Sequence, residues 1–226
     1  MNRLSAKLLI AANLVVAFMI IFEKWGYYSV LLISWIEAMI IGLYGLGRMC
    51  VACWFGNPLG KRVGVKDGSS RVVLSLVLGG FFIAKFGGFS LGLGFLVALT
   101  PGFLADAEGA DGLAAITEGL SSVGLGVVIA AALLFISHGV SFFQNYVAGH
   151  EYRRSNALVL LFKPYLRMVL VLVVLAAGFA VTSAFPQLYG TTAFAVGIVL
   201  IKIFVDTISH ALEHRRTTTA EISTPS

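Results

Sequence analysis

Ala193-Phe-Ala-Val-Gly-Ile-Val-Leu-Ile-Lys202-Ile-Phe-Val-Asp206-Thr-Ile-Ser-His210 is the run on which the fold turns. Its flanking residues are almost wholly apolar, yet Lys202, Asp206 and His210 recur at four-residue intervals. On an α-helix, positions i, i+4 and i+8 lie within about 80° of one another, so the three groups share a face. Ionisable groups in a membrane-length helix are expensive; they turn to the protein interior and either pair or serve a function. The stripe predicts charge held inside a membrane.

Composition agrees. Of the 226 residues, 58 % are hydrophobic and 12 % charged, with a mean hydropathy of +0.93. A soluble domain is about a quarter charged, and one core of this size could not bury so much apolar surface. An all-α, polytopic membrane fold is expected. Six segments approach the roughly 20 apolar residues of a crossing: 7–22, 28–47, 72–99, 122–147, 165–183 and 189–209. Residues 1–216 read as one six-helix domain and 217–226 as a short, polar, disordered cytoplasmic tail. Arg3 and Lys7 precede the first run as in a signal peptide, but it continues into Glu23-Lys24-Trp25 without a small-residue cleavage site.

Basic residues set the orientation. Arg3, Lys7, Arg48, Lys61, Arg62, Lys66, Arg71, Arg153, Arg154, Lys163, Arg167, Arg215 and Arg216 all fall on one side of the alternating crossings. Lys24 stands on the other with Glu23, Asp106, Glu108, Asp111 and Glu118. The positive-inside rule then predicts cytoplasmic termini, with the acidic loop 101–120 outside. The expected location is multi-pass in a membrane, the inner membrane for a bacterial cell. The net charge of +5 reports insertion and contact with anionic lipid headgroups, with Arg48, Arg153, Arg154 and Arg167 as the cytoplasmic basic face; nucleic acid is not an expected partner.

The third segment is long, about 42 Å as a helix against a core of about 30 Å. Its glycines (79, 80, 87, 88, 92 and 94) predict close helix packing, and tilt, a kink at Gly87-Gly88 or a broken helix would each accommodate its length.

By depth along the segments, Glu37 and Lys85 fall near the bilayer centre, with His138, Lys202, Asp206 and His210 toward the cytoplasm. His138, Ser141 and Asn145 share one helical face; Glu37, Tyr44 and Arg48 share another. Buried charge demands pairing, so Glu37 is expected to meet Lys85 or Lys202, and Asp206 to meet His138 or Arg48. Three roles fit this cluster. Glu37, His138, Asp206 and His210 suit a proton or ion relay for transport, since histidine titrates near pH 6.5. His138, Asp206 and His210 offer the imidazole and carboxylate donors of a divalent metal, beside which Ser141 or a bound water would be a nucleophile. Alternatively the pairs fix helix register in a partner subunit without chemistry of its own.

Other signals are weaker. Cys50-x-x-Cys53 with His210-x-x-x-His214 is a zinc-compatible donor set. Gly88-x-Ser90-x-Gly92 matches a hydrolase elbow motif but lies in an apolar helical span, without the strand-to-helix turn that gives the motif its mechanism. His150-Glu151 reads as a solvated polar pair in a loop.

Trp35-Ile-Glu37, Ser137-His138-Gly-Val-Ser141-Phe142, Pro164-Tyr165-Leu-Arg167 and Lys202-x-x-x-Asp206-x-x-x-His210 together resemble a prokaryotic family of six-helix membrane proteins catalogued as a domain of unknown function. The resemblance implies the fold and strengthens the site residues, but implies no activity. It departs in the third segment, where the family has aromatic and histidine residues and this chain has Lys85-Phe86. The serine and histidine of the fourth segment are also similar to rhomboid-type intramembrane proteases. The Gly-x-Ser-Gly motif of that family is absent from His138-Gly139-Val140-Ser141.

Overall fold

The computed structural model describes residues 27–56, 67–107, 111–121, 123–153 and 155–185, together with Phe18, Thr191, Phe194 and Gly197. Regular structure among them is entirely helical. The chain runs through α1 (Tyr27–Phe55), α2 (Gly68–Phe82), a wide π-helical turn (Ile83–Gly87) and α3 (Gly88–Ala107). It continues through α4 (Gly112–Ser121), α5 (Leu125–Ser141), a second π-turn (Phe142–Ala148), a short 3-10 turn (Glu151–Arg153), α6 (Ala157–Phe162) and α7 (Tyr165–Ala184). Among the described residues, four stretches are long and apolar enough to cross a membrane: Tyr27–Phe55, Gly68–Phe103, Leu125–Ala148 and Ala157–Ala184. The expected segments 7–22 and 189–209 lie outside the described residues, apart from Phe18, Thr191, Phe194 and Gly197.

Local chemistry starts and stops the helices. The Asp67 carboxylate accepts from the backbone N–H of Ser70 at 3.1 Å and its hydroxyl at 2.7 Å, capping α2. Nearby, the Arg71 guanidinium donates to the Trp54 carbonyl at 2.7 Å, and to those of Cys53 and Gly56 at 3.4 Å. These carbonyls end α1 and lack intrahelical partners, so a cation of the next helix closes them. Asn156 caps α6 through the Leu158 N–H at 2.9 Å.

Helix α1 is the hub, packing against α2, α3, α5, α6 and α7. Its aromatic side chains are seated on glycines of its neighbours. Tyr27 lies over Gly178 and donates to the Leu175 carbonyl at 3.0 Å. Trp35 lies over Gly94, where an added Cβ would come within 2.6 Å of its ring, and donates to the Ser90 carbonyl at 2.9 Å. Tyr44 sits on Gly139 and donates to Phe135 O at 3.1 Å. Small residues admit these rings, and each buried polar tip finds a backbone acceptor. The reverse arrangement also occurs, with Phe86 seated on Gly42 of α1 and Phe142 against Gly47.

Three expectations change here. Residues 68–107 form a continuous helical path rather than one broken at Gly87-Gly88, and the wide turn Ile83–Gly87 ends on the first of that pair. Among the described residues nothing approaches within 4 Å of the side-chain positions of Gly80, Gly87, Gly88 and Gly92, whereas Gly94 receives Trp35 and Gly79 meets Leu46, so the expected close packing holds at part of the glycine set. That path lies at the edge of the bundle, and its outward face is apolar, with Leu76 69 %, Leu91 67 % and Phe95 64 % exposed. Such a surface suits lipid rather than water. Lastly, residues 101–120 are no simple loop. Helix α3 continues through Pro101 to Ala107, and α4 packs back on it through Ile116 against Gly102 and Gly119 against Pro101.

A candidate cationic site between α1, α5 and the α6–α7 joint

At one end of the bundle an open-sided cavity of about 180 Å³ is lined by Ile41, Tyr44, Gly45, Arg48, His138, Leu160, Lys163, Pro164, Leu166 and Arg167. Three elements build it. Helix α1 supplies Ile41, Tyr44, Gly45 and Arg48, whose i, i+3, i+4, i+7 spacing makes one face. From α5 comes His138, in its last turn. Between α6 and α7 the helical path is interrupted at Lys163-Pro164, because proline lacks the N–H that would continue it. That interruption carries Lys163, and Arg167 follows in the first turn of α7. Pro164 packs onto Gly45, where an added Cβ would meet its ring at 2.8 Å. The close contact brings the joint against α1, so the cations of both face one space.

Neighbours hold the lining side chains. The Arg48 guanidinium lies over the Tyr146 ring, 5.6 Å from its centroid, and Tyr146 Oη donates to the Arg48 carbonyl at 2.8 Å. Tyr44 is clasped between Phe135 and Phe142, at centroid separations of 5.4 and 5.7 Å. His138 is half-buried, with its Nε2 atom buried. Arg48, His138, Lys163 and Arg167 each make further interactions within the protein. Three cations, an imidazole and a phenol thus meet, and among the described lining residues there is no carboxylate.

The expected site residues divide. Arg48, His138 and Arg167 come together here. Glu37 is buried at 4 % exposure one turn beyond Ile41 and does not line the cavity. Lys85 is exposed on the peripheral helix, unlike buried Glu37. Ser141 and Asn145 do not line the cavity and bond to each other, Asn145 Nδ2 donating to Ser141 Oγ at 3.3 Å. The π-turn beginning at Phe142 shifts the side-chain register after Ser141. Arg153 is exposed, lies over Tyr152 at 5.9 Å and lines a separate surface depression with Gly149, His150 and Glu151.

Lys202, Asp206, His210, His214 and Arg154 lie outside the described residues. His138 is therefore the only described member of the His138, Asp206, His210 metal set. Cys50 is half-buried and Cys53 buried, both as free thiols. The Ser90 hydroxyl contacts Met39 Sδ inside helical packing, so Gly88-x-Ser90-x-Gly92 forms no elbow here.

Lys163 and Tyr44 complete the cavity without standing out in the sequence as binding groups. Lys163 carried only a topological meaning there. The adjoining proline, which interrupts a continuous apolar run, was the signal that a cation would be presented at a joint.

The model of a family described as "Family of unknown function (DUF6498)" matches residues 1–223. No curated protein and no solved structure matches the chain.

Proposed function

The chain belongs to this family of unknown function, and we propose its role from its own residues. It is a multi-pass integral membrane protein with six spanning helices and both termini cytoplasmic, placed in the inner membrane of a bacterial cell. Its activity is proton- or ion-coupled transport, and the coupled solute is an anion taken up at the cytoplasmic side. One observation carries the reading: the open cavity that brings Arg48, His138, Lys163 and Arg167 together at the end of spanning helices.

A cluster of basic groups at the end of spanning helices raises the local potential and draws an anion toward it. The same anion stabilises the imidazolium form of any histidine beside it, so solute and proton load together. The groups facing His138 across the cavity are Arg48 and Tyr44 from α1, and Lys163 and Arg167 from the joint. Glu37, buried one turn beyond Ile41, and the Lys202, Asp206 and His210 stripe read from the sequence are the remaining groups of the proposed relay. The hydrolase reading draws less support, because Ser141 is bonded to Asn145 and does not line the cavity.

Proteoliposomes carrying a trapped pH-sensitive dye test the reading. Gradients of phosphate, sulfate or chloride are imposed in turn. At least one should change the internal pH with the native protein, and Arg48→Gln or His138→Gln should abolish the change. If none of these gradients moves the internal pH beyond the empty-liposome signal, the proposal is wrong.

A further inference from the structure

We infer that the outward face of the α2–α3 path around Lys85 docks a membrane-spanning helix of another protein, one with a carboxylate near its middle. Lys85 is the only charged residue between Arg71 and Asp106. It stands at the middle of the 36-residue Gly68–Phe103 span, with about 26 Å of helix between it and either end. A lysine near a helix end reaches the interface by snorkelling; one at mid-span is costly unless it turns inward or pairs. Lys85 does not turn inward. It is exposed, while the next residue, Phe86, is buried against Gly42. No carboxylate among the described residues pairs with it. A cation held outward on an apolar face calls for an anion that hydrocarbon does not supply.

The surroundings suit a helix rather than lipid alone. Phe81, Leu91 and Phe95 of the same path are 48 %, 67 % and 64 % exposed. Among them Gly80, Gly88 and Gly92 are open, with no described atom within 4 Å of an added Cβ. Elsewhere in this protein glycines admit a neighbour's ring, as Gly94 admits Trp35; the outward glycines leave the same room for a partner. Lys85 also lies within the wide turn Ile83–Gly87, and such turns inside longer helices occur frequently at functional sites. The lysine sets the partner's chemistry. A second copy docked through this face about a two-fold axis would set Lys85 against Lys85, like charges at low dielectric. Segment 7–22 contains no carboxylate. The one carboxylate of segment 189–209, Asp206, has Lys202 one turn away on its own face. A mid-span carboxylate of a different chain satisfies the ammonium and is itself satisfied.

The test mixes the labelled full chain, in phosphatidylcholine vesicles, with a labelled synthetic Leu–Ala helix of about 20 residues bearing one Glu at its centre. Energy transfer reads association. The Glu helix should associate about tenfold more tightly than the same helix with Gln, as expected for a strong polar contact between membrane helices. Lys85→Leu should erase that margin and Lys85→Arg should keep it. Gly88→Leu leaves the lysine in place but fills the open surface, so it should weaken association of the Glu helix. Equal binding of the Glu and Gln helices, or none of either, would overturn the proposal. A margin that survives Lys85→Leu would also overturn it, because recognition would then lie on another face. Energy transfer between two copies of the chain that Lys85→Leu abolishes would make the occupant a second copy and reject the foreign helix. Thermal stability of the chain alone in a neutral detergent completes the test. Lys85→Leu should leave it unchanged or raised, because no partner within the chain is lost. A drop reproduced by Asp206→Asn would assign Lys85 to this chain's own sixth segment and overturn the docking face.

Discussion

Gly139→Ala probes the α1–α5 contact that forms one wall of the cationic cavity. A Cβ at residue 139 would lie 2.6 Å from Tyr44 Oη and 3.3 Å from its Cζ. Tyr44 cannot simply swing aside, because Phe135 and Phe142 flank its ring and its hydroxyl is bonded to Phe135 O at 3.1 Å. Overpacking of this kind costs about 1–3 kcal/mol. The glycine-to-alanine change also improves helix propensity by about 0.8–1 kcal/mol, so the single mutant alone measures a difference of two opposed effects. A double-mutant cycle with Tyr44→Phe separates them. Removing the hydroxyl costs about 0.5–1.5 kcal/mol for the lost hydrogen bond, but it deletes the atom that clashes. Gly139→Ala should then become neutral or stabilising in the Tyr44→Phe background, with the propensity gain cancelling from the cycle. The double mutant should be less destabilised than the sum of the singles by about 1–2 kcal/mol, within the range for directly touching residues. Reversible unfolding in mixed detergent micelles, followed by far-ultraviolet circular dichroism, measures all four corners. Additivity within about 0.3 kcal/mol would refute the contact.

Five further expectations follow. Trp35→Phe removes the donor to the Ser90 carbonyl and should cost about 1 kcal/mol in the same unfolding measurement. Arg71→Gln should accelerate amide exchange at the end of α1, near residues 53–56, while leaving exchange at the centre of α1 unchanged. The hydroxyl and backbone N–H of Ser70 hold the Asp67 carboxyl below its usual range. Its contribution to α2 is complete above the unfolded-state value near 3.8 and fades as pH falls through the lower folded-state value. Asp67→Asn should flatten the acid dependence of amide protection in the first turn of α2. Within the proposed transport cycle, Asp206→Asn should still fold and insert but lose anion-driven pH change, as should His138→Gln. The double variant should be little worse than either, as expected for residues acting as one unit. A reporter after Ser226 should report cytoplasm and one near Gly109 the opposite side; both on one side would reject the six-helix topology.

Class and much of the local structure are legible from the chain alone. Apolar runs at helical length are a one-dimensional property, because a bilayer requires each spanning segment to satisfy its own backbone. Hence 28–47 lies within α1 and 72–99 within a longer helical path, while the helix expected at 122–147 starts at Leu125 and runs to Ala148. The buried state of Glu37 and the shared α1 face of Tyr44 and Arg48 follow from the same periodicity. Boundaries were less legible. Arg71 lengthens what α1 can sustain by bonding carbonyls that sequence alone leaves open, and Pro101 is carried inside a helix supported by α4.

Only the tertiary structure decided which charges meet. Glu37 and Lys85 lie at matching depths along their segments, yet one is buried and the other exposed, because depth does not specify which way a helix turns. His138 lines the cavity, whereas Ser141, one turn on, bonds Asn145 and does not line it. Arg48, His138, Lys163 and Arg167 converge because Pro164 fits against Gly45 and Tyr44 fits against Gly139. Side-chain periodicity is set by each segment's own backbone. Convergence is set by van der Waals contact between segments distant in sequence, and no local pattern encodes which glycine receives which ring.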